Sequence, residues 1–313
     1  MKIKKPKFWN YSNPNLLSFI LLPLTIPIVI NNFLLKFKKK KKYNIKTICV
    51  GNIYVGGTGK TPLSIKINQL LKKLNFKTAI IKKFYLDQVD EQKLLKNNAK
   101  LFCKKNRYNA LKDAIDNKID VAIFDDGLQD KSINYDLSFV CFNTKVWIGN
   151  GMLIPAGPLR EKIKSLKKYD VVFLNGNSKN IYKIKSIIKK NNPKIKIFET
   201  MYEPTNIKKF SKKQKYVIFS GIGNSESFAE TVGSNKLTIV KELRYPDHYK
   251  YTKNDIYKII KIAKKLNAKI LTTEKDYMKL EKFKFSEINF LKISVSVKNE
   301  NKLIKFLIKK LWN

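Results

Sequence analysis

A chain of 313 residues is long enough for two α/β domains, each with its own core. Its three cysteines, Cys49, Cys103 and Cys141, give neither a disulfide framework nor metal-ligand spacing, which fits a reducing compartment. A formal charge of +41 asks for an anionic partner, phospholipid headgroups or nucleic acid. The lysines are scattered over every segment, however, and no recognisable nucleic-acid module or stripe of aromatics and arginine accompanies them.

Residues 1–42 form a segment of their own: a lysine-rich start, Trp9 and Tyr11, an apolar stretch over 16–35, then Lys36 and the run 38–42. The stretch is about as long as a spanning helix, but Pro23, Pro27, Asn31 and Asn32 interrupt it. No small-residue cleavage site follows, and both flanks are basic. The reading is a segment lying on an anionic membrane surface, with a helix packed on the soluble domain as the alternative.

Next comes TICVGNIYVGGTGKTP at 47–62, which reads as strand, glycine loop and helix. Backbone N–H groups of Gly56, Gly57, Thr58 and Gly59 face phosphate oxygens, Lys60 reaches the β- and γ-phosphates, and the Thr61 hydroxyl suits Mg²⁺. The strict phosphate-loop pattern wants Gly where Tyr54 stands. Leu63, Ile67, Leu70, Leu71 and Leu74 then recur at helical spacing. A strand at 78–81, a helix at 107–117 and a strand at 120–125 follow, the last ending in Asp125 and Asp126. At the C-terminal edge of a buried parallel strand, such carboxylates are placed to hold Mg²⁺.

A strand at 136–143 leads into GNGMLIPAGPLREKI, with Arg160 and Glu161 at an expected helix start. Read alone, they are either a charged first turn or a pair serving phosphate and metal. Strands at 169–175 and 194–201 end a first domain, 43–204, and a polar stretch at 203–214 reads as a linker. The second domain, 205–313, alternates again, with strands at 215–224, 237–242, 269–273 and 288–297. Thr252 and Asp255 make a capping box ahead of the stripe Ile256, Ile259, Ile260, Ala263 and Leu266. His248 is the sole histidine; spacing alone makes it structural more readily than catalytic.

Together the apolar start, GNIYVGGTGKTP, DDGLQ, GNGMLIPAGPLRE, FSGIGN, YPDHYKYT and TTEKD resemble, in order, the tetraacyldisaccharide 4'-kinase family, the lipid A kinases of Gram-negative bacteria. The resemblance implies two Rossmann-like α/β/α lobes, the first a phosphate-loop NTPase-type domain, and a membrane-associated N-terminal segment. It implies ATP- and Mg²⁺-dependent phosphorylation of the 4'-hydroxyl of an acylated glucosamine disaccharide 1-phosphate, at the cytoplasmic face of the inner membrane. Carried over residue by residue, Lys60 and Thr61 match the loop's lysine and hydroxyl, Asp125 and Asp126 the metal carboxylates, Gln129 the glutamine after them, and Arg160 with Glu161 the pair after PAGPL. Asp90 matches the general base, His248 its partner, and Arg107 a phosphate-site arginine. On that reading, closure of the C-terminal lobe brings His248 to Asp90. The family's Ser-Arg-Gly-Tyr is replaced by Lys82-Lys83-Phe84-Tyr85 ahead of a shortened loop, its His after DDGLQ by Asp130, and its Pro after Arg-Glu by Lys162. The rival reading is a membrane-associated phosphate-loop ATPase or switch with no sugar acceptor.

Overall fold

The computed structural model describes residues 5–35 and 37–312; the first four residues, Lys36 and Asn313, which include parts of the basic flanks read from the sequence, lie outside the described residues. The elements in chain order are α1 (Leu16–Ile20), α2 (Ile26–Leu34), β1 (Lys46–Gly51), α3 (Lys60–Lys73), β2 (Thr78–Lys83), α4 (Val89–Asn98), β3 (Leu101–Lys104), α5 (Arg107–Asp116), β4 (Val121–Asp125), β5 (Leu137–Asn143), β6 (Val171–Asn175), α6 (Ile181–Asn191) and β7 (Lys196–Pro204). They continue with β8 (Lys215–Ser220), α7 (Ser225–Ser234), β9 (Thr238–Arg244), α8 (Lys253–Lys265), β10 (Lys269–Thr273), α9 (Glu274–Leu280), β11 (Ile288–Leu291), β12 (Ile293–Val297) and α10 (Glu300–Trp312). The result is a mixed α/β protein with parallel sheets, in two compact units. The first holds Met1–Lys83, Ala99–Met201 and Ser296–Asn313; the second holds Phe84–Asn98 and Tyr202–Val295.

The larger sheet has the order β12-β7-β6-β5-β1-β4-β2-β3, and its pairs from β7 to β3 are parallel. Its central strands are buried on both faces, so their sequences are apolar runs rather than alternating patterns. Because β4 lies between β1 and β2, the loop after β1 opens beside the end of β4. The core joins Cys49, Ala79, Ala122, Phe124, Val140 and Leu174. Helix α10 returns to this unit and buries Leu303, Leu307 and Leu311. Its Glu300 pairs with Lys66 at 2.6 Å, and its Trp312 stacks on Phe76 with centroids 3.9 Å apart.

The N-terminal segment is two short helices. Pro23 and Pro27 stand at helix starts, where the missing N–H costs nothing, so the apolar stretch breaks instead of running through. Among the described residues, no helix is long and apolar enough to cross a membrane. Polar tethers fasten the segment: Trp9 Nε1 donates to Pro155 O at 2.9 Å, Asn150 Nδ2 to Ser18 Oγ at 2.9 Å and Asn32 Nδ2 to Arg160 O at 2.9 Å. Gly149, at φ +55°, passes so close to Trp9 O that a Cβ would lie 2.0 Å from it.

The second unit carries the parallel sheet β11-β10-β8-β9, whose order reverses at β8. Ligands of open α/β sheets bind outside the strand ends at such a reversal. The capping box of α8 forms as the sequence predicts, Thr252 Oγ1 accepting from Asp255 N at 3.1 Å. Where one strand was expected over 288–297, the chain breaks at Lys292 into β11 and β12, which belong to different sheets. The helix expected at Arg160 and Glu161 is absent: a 3₁₀ turn over Ile163–Lys168 stands there.

Candidate active site

Two clusters, one in each unit, gather the residues singled out by sequence. In the first unit β1 feeds the glycine loop and Gly59 ends it at φ +89°, immediately before α3. A side chain at that angle is strained, so glycine lets the loop turn into the helix. Asn52 Nδ2 donates to Thr58 Oγ1 at 2.9 Å, bracing the turn. Tyr54, where the strict motif has glycine, is 2% exposed, and its hydroxyl donates to Asn10 Oδ1 at 3.1 Å; it anchors the N-terminal segment to the loop.

Asp125 ends β4, fully buried. Its Oδ2 accepts from Thr61 Oγ1 at 3.1 Å and its Oδ1 from Ser64 Oγ at 3.1 Å. Lys82 Nζ, at the end of β2, donates to the same Oδ2 at 2.7 Å. Asp126, held at φ +60°, faces the other way: Arg160 Nη1 donates to its Oδ1 at 3.1 Å, and Lys60 Nζ lies 4.0 Å from that oxygen. Burial pushes the Asp126 carboxyl up, but Lys60, then Arg160, Lys82 and Arg107, outweigh it and hold it below the usual carboxylate range. Arg160 also donates to Gln129 Oε1 at 3.0 Å. Glu161 accepts from Tyr169 OH at 2.9 Å and lies 3.4 Å from Gln129 Nε2. Arg107 ties down the turn after β4 through Asp126 O and, at 3.4 Å, Asp130.

Thr61, Asp125, Asp126 and Glu161 do not converge as a metal cage, and no three His, Cys, Asp or Glu side chains among the described residues do so. Mg²⁺ in nucleotide sites takes most of its oxygens from phosphates and water, with one or two from the protein. A loop hydroxyl already joined to a buried strand-end carboxylate fits that requirement.

In the second unit Asp90, in the first turn of α4, is buried. Its Oδ1 lies 3.2 Å from His248 Nδ1, while Oδ2 has no hydrogen-bond donor and is faced by Lys279 Nζ at 3.5 Å and Lys275 Nζ at 3.8 Å. The pair forms inside one unit, so no closure is needed to join it. His248 is held at φ +56°, its N–H donating to Gly221 O at 3.2 Å. Lys279 is aimed by Asp276 Oδ1 at 2.7 Å, and Asp276 is itself fixed by Gly221 N and Thr273 Oγ1. Lys275 donates to Glu91 at 2.9 Å. Burial opposes its charge, but Glu91, Asp247 and Asp90 outweigh it and raise its pKa. Lys275 and Lys279 were not singled out from sequence, though both lie in or just after TTEKD.

A glycine loop between a buried strand and a helix, with a hydroxyl on a neighbouring strand-end carboxylate and two cations beside it, defines a phosphate-loop enzyme of phosphoryl transfer. Comparison with known proteins narrows this. A family model described as "Tetraacyldisaccharide-1-P 4'-kinase" matches residues 17–312. A tetraacyldisaccharide 4'-kinase of Pelagibacter ubique is 53% identical over 99% of this chain and 98% of its own, and one of Rickettsia canadensis is 34% identical over 99% and 98%. The crystal structure of LpxK from Aquifex aeolicus, described as an "apo" form in complex with ATP, shares the fold, with a TM-score of 0.70 and 23% identity over 95% of this chain and 100% of that one. The chain belongs to the tetraacyldisaccharide-1-P 4'-kinase family, and it is a kinase.

Proposed function

We propose that the chain transfers the γ-phosphoryl group of ATP to the 4'-hydroxyl of the tetraacyldisaccharide 1-phosphate that gives its family its name, with the glycine loop as donor site and Asp90 as base. The reading is carried by one observation: Lys60 and Arg160 converge on Asp126 beside a loop whose Thr61 hydroxyl is joined to Asp125. Loop N–H groups would cradle the phosphates, Lys60 and Arg160 would turn from Asp126 to the transferring group, and Asp125 would orient Thr61. Thr61 and Asp125 would hold Mg²⁺, which would supply charge neutralisation on the phosphates.

On the acceptor side, Asp90 would take the proton of the sugar hydroxyl on Oδ2, the oxygen without a donor, while His248 fixes Oδ1. The substrate is acylated, and the N-terminal segment supports its delivery from a membrane. Leu16 is 75% exposed, Phe19, Ile20, Leu24 and Leu34 are also exposed, and lysines 38–42 follow. That composition suits a segment lying on anionic headgroups of the cytoplasmic leaflet.

The test is transfer of labelled γ-phosphate to the disaccharide 1-phosphate in detergent micelles, with hydrolysis measured in its absence. Lipid phosphorylation is expected in the native chain and is lost in Lys60→Ala. Asp90→Ala is expected to lower kcat about 10²- to 10⁴-fold with ATP binding retained. ATP hydrolysis without a lipid product would overturn the assignment of the acceptor.

A further inference from the structure

Lys82 stands one register step beyond the pair Ile81↔Phe124, level with Asp125 on the neighbouring strand. Its side chain is 2% exposed and that of Asp125 0%, with Nζ 2.7 Å from Oδ2. A lysine is buried this deeply only against a compensating charge, and the carboxylate it meets is the one that supports Thr61. With Thr61 and Lys82 on Oδ2 and Ser64 on Oδ1, three of the roughly four lone-pair positions that a hard divalent cation could take on the carboxylate are occupied. A second cation at the same oxygen would also meet the ammonium across a few ångströms of low-dielectric interior.

We propose that Lys82 is a built-in competitor of the metal: it neutralises Asp125 so that the protein binds no divalent cation there by itself, and Mg²⁺ is admitted only with nucleotide phosphates, whose negative charge lets both cations remain. The proposal rests on the loop being the Mg²⁺-nucleotide site. It makes the order of arrival a property of one side chain. It also assigns a purpose to the lysine that stands where the family pattern has serine: without it, Asp125 is a buried carboxylate with two hydroxyl donors and its paired ammonium removed.

The experiment is thermal unfolding of the full chain without nucleotide, in chelator and in a series of Mg²⁺ or Mn²⁺ concentrations, for the native protein, Lys82→Met and the double variant Lys82→Met/Asp125→Asn. The native Tm is expected not to respond to metal. Lys82→Met is expected to melt lower in chelator and to recover with metal, by about 5 °C at a hundredfold excess over Kd. The double variant, with both charges removed, is expected to recover stability in chelator and to ignore metal. Should Lys82→Met be too unstable to purify, its refolding yield with and without Mn²⁺ reads the same dependence. A Lys82→Met protein indifferent to both metals, or a native protein that responds as strongly as the variant, overturns the proposal. ATP with Mg²⁺, added to the native chain in the same instrument, separates the two readings. A nucleotide response without a metal response in Lys82→Met removes only the role of Lys82, whereas a metal response in that variant without a nucleotide response in the native chain removes the loop reading.

Discussion

Asp90 is a buried carboxylate with its two oxygens treated differently: His248 holds Oδ1, and two lysines face Oδ2 without bonding it. Burial pushes its carboxyl up, but the His248 hydrogen bond, then Lys275 and Lys279, outweigh it and hold the pKa below the ordinary 3.8. The folded state therefore favours the carboxylate. This contribution to stability is complete above the unfolded pKa and is lost as pH falls through the lower, folded one. In the proposed role of base, Asp90 would stay ionised through the neutral and mildly acidic range, at some loss of proton affinity. Replacing Lys275 by Met removes one of the lowering charges, so the acid limb of kcat/KM should move to higher pH, read from assays carried well below about pH 4. An unmoved limb would separate Lys275 from the base. At this scale the sequence singled out Lys60, Thr61, Asp125, Arg160 and His248 within motifs and Asp90 through the family resemblance, but not the lysines that face Asp90. The pairing of Lys82 with Asp125 needs the strand order, since β2 and β4 are neighbours only after the sheet is assembled.

Elements were legible where a local signal sets them. The apolar stripe of α3 and the capping box of α8 appear where the spacing put them, because both depend on neighbours within four residues. The Thr252→Ala variant should lose about 1 kcal/mol of stability, read from denaturant unfolding. The elements that escaped depend on distant partners. Helix α4 has weak apolar periodicity, burying only Asp90 and Leu95, and β3 is a four-residue edge strand. The break at Lys292 separates strands of two sheets, although residues 288–297 read as one β run. The stretch after Arg160 turns instead of continuing as a helix, because Arg160 N donates to Ile53 O and its own carbonyl accepts from Asn32; those contacts hold the loop that serves the site.

For the whole molecule, a charge of +41 and an apolar face on residues 16–34 would make the proposed membrane attachment the sum of two terms, one screened by salt and one not. Binding to vesicles containing phosphatidylglycerol should weaken as salt rises. Changing Leu17, Phe19 and Leu24 to Ser should weaken it at least about tenfold at fixed salt, while nucleotide binding is retained. Equal binding by that triple variant would assign attachment to the lysines alone.

Helix α10 bears on the making of the protein. The unit that holds the glycine loop also needs Leu303, Leu307 and Leu311, the Glu300 pair with Lys66 and the stack of Trp312 on Phe76, and all of these follow the entire second unit in chain order. During synthesis, the N-terminal portion ordinarily has the chance to fold first. Here the glycine loop is made before the second unit, but the helix that completes its own unit is made after it. A polypeptide broken off midway therefore lacks the helix that completes the unit carrying the glycine loop.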